Sequence, residues 1–283
     1  VPSRAAAPER PAFGFALNKG RAGSLDEWVR VARTAETAGY RALYASDHLG
    51  GLDPLVALQA AAGVTERLRL GTNVLNNDFW HPVMLARATA TLDLLSGGRV
   101  ELGLGAGWNR PEYDAAGVRY DPAPVRIRRM IEAAGILREL FAGETVDHHG
   151  EHYEVGDLAL EPLPPQGADL PIMIGGNGDL VLTAAARHAD MVGLTGFSAG
   201  SDGMRLTHFT REGMEERVAF TRAAAGERAA GLEFVVLVQR AEITDHAEAR
   251  AAELAAHYSE GGPVSFDTES ILASPFVLIG PAD

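Results

Sequence analysis

Apolar and polar positions along the chain follow two rhythms that take turns. Short apolar runs at residues 13–18, 42–46 and 68–75 predict strands. Between them, apolar residues recur at helical spacing. Leu25, Trp28, Val29 and Ala32 form one stripe, Ser24-Leu-Asp-Glu27 is a capping box ahead of it, and Gly39 ends it. Pro54 and Pro82 stand where a helix's first turn does not need the missing N–H. The alternation continues with strands at 99–107, 171–174, 191–194 and 233–243. Helices are predicted at 82–95, 124–141, 179–188, 212–225 and 247–257.

Two segments break the rhythm. Residues 144–160 read as a small hairpin turning at His149-Gly150-Glu151, and 197–210 as a Gly/Ser-containing loop long enough to act as a lid. Strands alternating with helices predict a mostly parallel sheet. Seven such units suit a (β/α)8 TIM barrel, a fold of about 250 residues. After the apolar run 276–279 the chain stops at Asp283, so a last helix and strand are expected to be missing. The expectation is one barrel domain over 12–283 behind a loose tail at 1–11, which is Pro/Ala/Arg-rich and has no apolar signal core.

Composition narrows the chemistry. There is no cysteine, which removes disulfides, thiolate metal sites and a cysteine nucleophile, and fits a cytoplasmic setting. The net charge of −13 without any basic run argues against nucleic acid or an anionic membrane as partner. No apolar run approaches the ~20 residues that span a bilayer. Lys19 is the single lysine.

The most unusual strand runs Arg99-Val-Glu-Leu-Gly-Leu-Gly-Ala-Gly-Trp108. With period 2, Gly103, Gly105 and Gly107 share one face with Glu101, while Val100, Leu102, Leu104, Ala106 and Trp108 share the other. A face stripped to backbone allows either a close crossing of protein on protein or a flat ligand. Its place at a barrel mouth makes room for a planar ring the favoured reading.

In a barrel the site lies at the C-terminal ends of the strands. Those ends carry Asp47-His48, Asn73 to Asp78, Gly107-Trp108-Asn109, Gly175-Gly176-Asn177-Gly178 and Thr195-Gly196. His48 is the candidate proton carrier. Asp47 can anchor the strand end or orient a ring. The Gly175–Gly178 turn leads into a helix, whose free N–H groups suit a phosphate. His81 suits a helix entry. His148, His149 and His152 resemble metal ligands, but a hairpin splits them between faces and no carboxylate cluster completes a site, so no metal is expected.

These segments together resemble the luciferase-like monooxygenase superfamily of flavin- and deazaflavin-dependent oxidoreductases. The resemblance rests on Gly97–Asn109, Leu70-Gly-Thr-Asn-Val-Leu75, Thr91–Gly98, Asp47-His48 and Pro171-Ile-Met-Ile-Gly-Gly176, in that family's order and spacing. It is strongest to the actinobacterial branch using coenzyme F420, a 5-deazaflavin. The resemblance implies a TIM barrel with the ring over its mouth and a non-proline cis peptide at Asn73–Val74 behind the ring. Gly105, Gly107, Trp108 and Asn109 would lie near the ring. Gly175–Gly178 with Thr195 and Gly196 would hold the phosphate, and His48 would sit near the reacting carbon. It implies hydride transfer between F420 and a small organic substrate. FMN with a two-component monooxygenase reaction, or cofactor binding without catalysis, are the alternatives. A flavin or F420 reductase and a second copy in a homodimer are the partners implied. For the acidic tail of F420, Arg110, Arg119 and Lys19 are the candidates.

Overall fold

The structure, a computed structural model, describes residues 16–200, 203–260 and 264–282. The tail at 1–11 and the start of the first predicted strand lie outside the described residues. The first half of the chain forms β1 (Ala16–Asn18), α1 (Leu25–Thr37), β2 (Ala42–Ala45), α2 (Pro54–Ala62), β3 (Arg69–Thr72), β4 (Leu75–Asn76) and α3 (Pro82–Ser96). It continues with β5 (Val100–Gly105), α4 (Arg110–Ala116), α5 (Ala123–Ala142), β6 (Thr145–His149) and β7 (Glu154–Ala159). The second half forms β8 (Ile172–Gly175), α6 (Asp179–His188), β9 (Met191–Leu194), β10 (Phe197–Gly200), β11 (Gly203–Leu206) and α7 (Arg211–Ala225). It ends with β12 (Glu233–Val236), β13 (Arg240–Ile243), α8 (Ala247–Ser259), α9 (Thr268–Ala273) and β14 (Val277–Gly280).

The main sheet is parallel, in the order β1-β2-β3-β5-β8-β9-β12, with β4 added beside β5. One face carries Leu43, Leu70, Leu102, Ile172 and Val192, buried in a core shared with Trp28, Leu58, Leu85, Leu137 and Leu182 of the helices. The other face turns inward and is sparse. A Cβ on Gly71 would strike the Tyr44 ring, and one on Gly103 would crowd Met173.

Part of the interior is filled by a polar cluster. Glu101, 1% exposed, accepts from Tyr44 Oη (2.6 Å), Arg41 Nη2 (2.8 Å) and Arg69 Nε (2.5 Å). Burial and the neighbouring Glu101 carboxylate push the Tyr44 hydroxyl far above its ordinary pKa. Arg41 also reaches Glu233 at 3.1 Å. Arg41 immediately precedes β2, next to the edge strand β1, and Glu233 opens the opposite edge strand β12, so this contact bridges the two sides of the curled sheet. Among the described residues β1 and β12 are not themselves paired. The curled parallel sheet with helices outside is the barrel architecture expected from the sequence.

Four local expectations change. The strand expected at 68–75 divides into β3 and β4. That expected at 233–243 divides into β12 and β13, and β13 leaves the main sheet to pair with β14. Residues 110–116, read as loop, form α4 with Pro111 in its first turn. The expected open loop at 197–210 is largely an antiparallel hairpin, β10–β11, pairing Phe197 with Leu206 and Ser198 with Arg205. Thr145–His149 and Glu154–Ala159 pair as the other hairpin. Ser24 caps α1 by accepting from Glu27 N, while the Glu27 carboxylate turns outward to Gly23 N and Lys19.

Candidate active site

A cavity of about 690 Å³ opens at the C-terminal ends of the strands. Its floor comes from an irregularity between β3 and β5. Pairing stops at Gly71↔Glu101 and resumes at Leu75↔Leu104. Thr72, Asn73 and Val74 thus oppose only Leu102 and Gly103, a bulge of one residue. Thr72 Oγ1 takes the missing ladder place, accepting from Gly103 N and donating to Gly103 O, both at 2.8 Å. The Asn73–Val74 peptide is cis, as the resemblance implies.

This bulge fills the bare strand face. A Cβ on Gly103 would collide with the Thr72 carbonyl, and one on Gly105 would lie 2.5 Å from Val74 Cγ2. One on Gly175 would lie 2.9 Å from Val74 Cγ1. One on Gly107 would meet the Tyr113 hydroxyl and Asn76. The favoured reading of that face as open room for a ring is therefore corrected. The glycines admit protein, and Val74, seated between Gly105 and Gly175, lines the cavity in their place.

His48 and Asp47 follow β2 and divide the work. Asp47 Oδ2 accepts from Asn76 N and Trp80 Nε1, each at 3.0 Å, and so anchors the chain leaving the bulge. Burial raises its pKa, opposed by those two hydrogen bonds. His48 faces the cavity with its Nδ1 3.0 Å from Glu112 Oε1. Its ring lies edge-on to Trp108 at 5.9 Å, and Trp108 meets Phe197 of β10 at 6.4 Å. Trp108 remains 39% exposed, which puts it at the rim.

The opposite wall is the turn from β8 into α6. No side chain caps α6, so its first-turn N–H groups keep the donor capacity of an open helix start. Asn177, 3% exposed, donates from Nδ2 to Thr207 O and Thr207 Oγ1 just beyond the β10–β11 hairpin. Asn177 Oδ1 and Asn18 Oδ1, both on cavity-lining residues, are buried without a donor among the described residues.

Of the residues singled out from sequence, His48, Asp47, Asn73, Val74, Gly105, Gly107, Trp108, Asn109, Gly175, Gly176, Asn177, Gly178 and Thr195 all line this cavity. Gly196 does not. It has φ +71°, and a Cβ there would press on the Phe209 and Phe276 rings, so it serves their packing instead. Glu112, Arg126 and Gln239 also line the cavity and were not foreseen. The tail candidates Lys19, Arg110 and Arg119 are paired with Glu27, Asp114 and Asp121. His81 accepts from Val83 N at the start of α3. His148 pairs with Glu132, whose carboxylate also takes the N–H of His152 and Tyr153.

Comparison with known proteins gives this arrangement a context. An F420-dependent glucose-6-phosphate dehydrogenase of Microbacterium testaceum is 36% identical over 187 residues, 63% of this chain and 54% of that protein. An F420-dependent hydroxymycolic acid dehydrogenase of Mycobacterium tuberculosis is 31% identical over 243 residues, 81% of this chain and 62% of that protein. The chain thus spans little more than half the length of these relatives. The solved structure of coenzyme F420 dependent tetrahydromethanopterin reductase from Methanopyrus kandleri matches with a TM-score of 0.74 at 20% identity, covering 88% of this chain and 73% of that one, a likeness of fold. The family model for luciferase-like monooxygenases matches residues 11–275, and over that span the chain belongs to the luciferase-like monooxygenase family.

Proposed function

We propose that the chain is an F420-dependent oxidoreductase that oxidises a hydroxyl group on a small organic substrate, or runs the reverse reduction. The observation that carries this is the His48–Glu112 pair on the wall of a cavity floored by Val74. The names of the two relatives point the same way, since both are F420-dependent dehydrogenases.

The cavity suits such a coenzyme. Val74 offers a flat apolar seat, the open start of α6 suits a phosphate, and the unsatisfied oxygens of Asn18 and Asn177 call for donors. When bound, a 5-deazaflavin exchanges two electrons with one hydrogen as hydride. His48 takes the hydroxyl proton during oxidation and returns it during reduction. Glu112 fixes the ring through Nδ1, leaves Nε2 for the substrate, and balances the charge of the imidazolium. Trp108 and Phe197 shield this end from water, and the β10–β11 hairpin that carries Phe197 is the lid.

Titration of the purified chain with F420 and with FMN, followed by fluorescence quenching, tests the coenzyme. Binding of FMN but not F420 would sink the proposal in favour of an oxygen-using flavin enzyme. Binding of F420 with no turnover on any alcohol would leave a carrier rather than an enzyme. His48→Ala is expected to lower turnover by about 10²–10⁴-fold with F420 affinity little changed, and Glu112→Gln by less. Unchanged turnover in His48→Ala would remove His48 as the proton carrier.

A further inference from the structure

We propose that Arg126 is the fixed cation of this cavity and stabilises the negative charge that arrives on the coenzyme ring with the hydride. This rests on the F420 reading above and concerns a residue to which that reading gives no role.

Arg126 lies near the start of α5, on the cavity wall, and is 3% exposed. Buried arginines are ordinarily paired with a carboxylate, because an unpaired buried charge is expensive. The other buried guanidinium among the described residues, Arg217, follows that rule with Asp179 and Glu216. The half-buried Arg129 does too, with Asp78 and Asp121. Arg126 does not. Its Nε donates to Ala106 O (2.9 Å), its Nη2 to Gly107 O (3.1 Å) and Tyr120 Oη (3.2 Å), and its Nη1 to the backbone carbonyl of Asp121. The Tyr120 ring lies 4.1 Å from its central carbon. These are dipoles and a π face. They solvate the cation without neutralising it, and no carboxylate reaches it among the described residues.

Arg126 is also the only lysine or arginine among the described lining residues. The acids on the same wall have partners other than Arg126. Asp47 is held by two N–H donors, Glu112 by His48 and Asp179 by Arg217. The guanidinium therefore stands on the cavity wall with no carboxylate bonded to it among the described residues.

Oxidation of an alcohol sends the C–H hydrogen with its electron pair to the ring and the O–H proton to His48, leaving a carbonyl. The ring gains one negative charge. A cation already in place and held by four hydrogen bonds needs little reorganisation to meet that charge.

The test compares binding of oxidised and chemically reduced F420 by calorimetry in the wild type, Arg126→Gln and Arg126→Lys. The wild type is expected to bind the reduced form at least tenfold more tightly. Arg126→Gln is expected to lose most of that preference. Arg126→Lys keeps the charge but cannot repeat the four hydrogen bonds, so both affinities fall while the preference stays. A residue that merely clamps the 106–107 backbone would weaken both forms equally in both variants, and that result overturns the proposal. So does a wild type with no preference. If Arg126→Gln does not fold, loss of the preference in folded Arg126→Lys overturns it as well. Absence of any F420 binding by the wild type is a different failure, which takes down the F420 reading and this inference with it.

Discussion

Gly105→Ala isolates the contact on which the cavity floor rests. Gly105 does not have a positive φ, so alanine can adopt its backbone and the new methyl alone is the perturbation. That methyl would lie 2.5 Å from Val74 Cγ2, roughly 1 Å inside ordinary contact. Overpacking of this kind costs about 1–3 kcal/mol. The lower entropy of the unfolded alanine chain offsets about 0.4–1 kcal/mol of it. Val74→Ala alone removes two methyl groups from the seat between Gly105 and Gly175, a loss of about 1.5–3 kcal/mol. In the double variant the offending carbon is gone. The next nearest atoms to the new methyl, Leu75 O and Val74 Cβ, both stand at 3.6 Å, an ordinary contact. The double variant should therefore be about 1–2 kcal/mol more stable than the two single losses added together. Urea denaturation followed by circular dichroism measures all four proteins, and F420 titration reports whether the floor has kept its shape. Gly156→Ala, with nothing within 4 Å of the new methyl, is the control that reads the unfolded-chain entropy gain alone. Additivity within about 0.5 kcal/mol would refute the seating of Val74 against Gly105.

Two further outcomes test the frame around the site. Glu101→Gln strips the negative charge that Arg41 and Arg69 share, and should destabilise the fold by about 3–5 kcal/mol; a loss under about 1 kcal/mol in urea would show that the polar cluster is not a support. Glu36 accepts the N–H groups of Glu66, Arg67 and Leu68, which outweigh its desolvation and hold its pKa below the usual 4.5. Its contribution is present above pH 4.5 and is lost as pH falls through the depressed folded-state value. Glu36→Gln should therefore cost about 1–2 kcal/mol at pH 7, with the gap to wild type closing in acid. A gap that is constant from pH 7 to pH 3 would contradict the assignment.

The strand-helix rhythm was legible because it is local. Period 2 correctly put Glu101, Gly103 and Gly105 on one face. What fills that face was not legible, since Thr72 and Val74 meet those glycines only once β3 and β5 are paired. His48 could be picked out by type and by its place at a strand end. Its partner Glu112 could not, because α4 has seven residues with proline in its first turn and carries little helical signal. Arg126 was hidden among the arginines of α5, where nothing in the spacing separates a buried guanidinium from exposed ones. Gly196 misled for a related reason. A glycine at a strand end serves a ligand or a neighbouring ring equally well, and here Phe209 and Phe276 claim it.

The contact from Arg41 to Glu233 spans 192 positions of the chain. At a synthesis rate of about 5–20 residues per second, Arg41 leaves the ribosome roughly 10–40 s before its second acceptor exists. Over that interval the curl of the sheet lacks its last polar tie. The tie from Arg41 to Glu101 is already available, since Glu101 is made early, and the same Nη2 later reaches Glu233 as well. The Arg41–Glu233 contact thus marks a sheet complete through β12, which no shorter nascent chain can make.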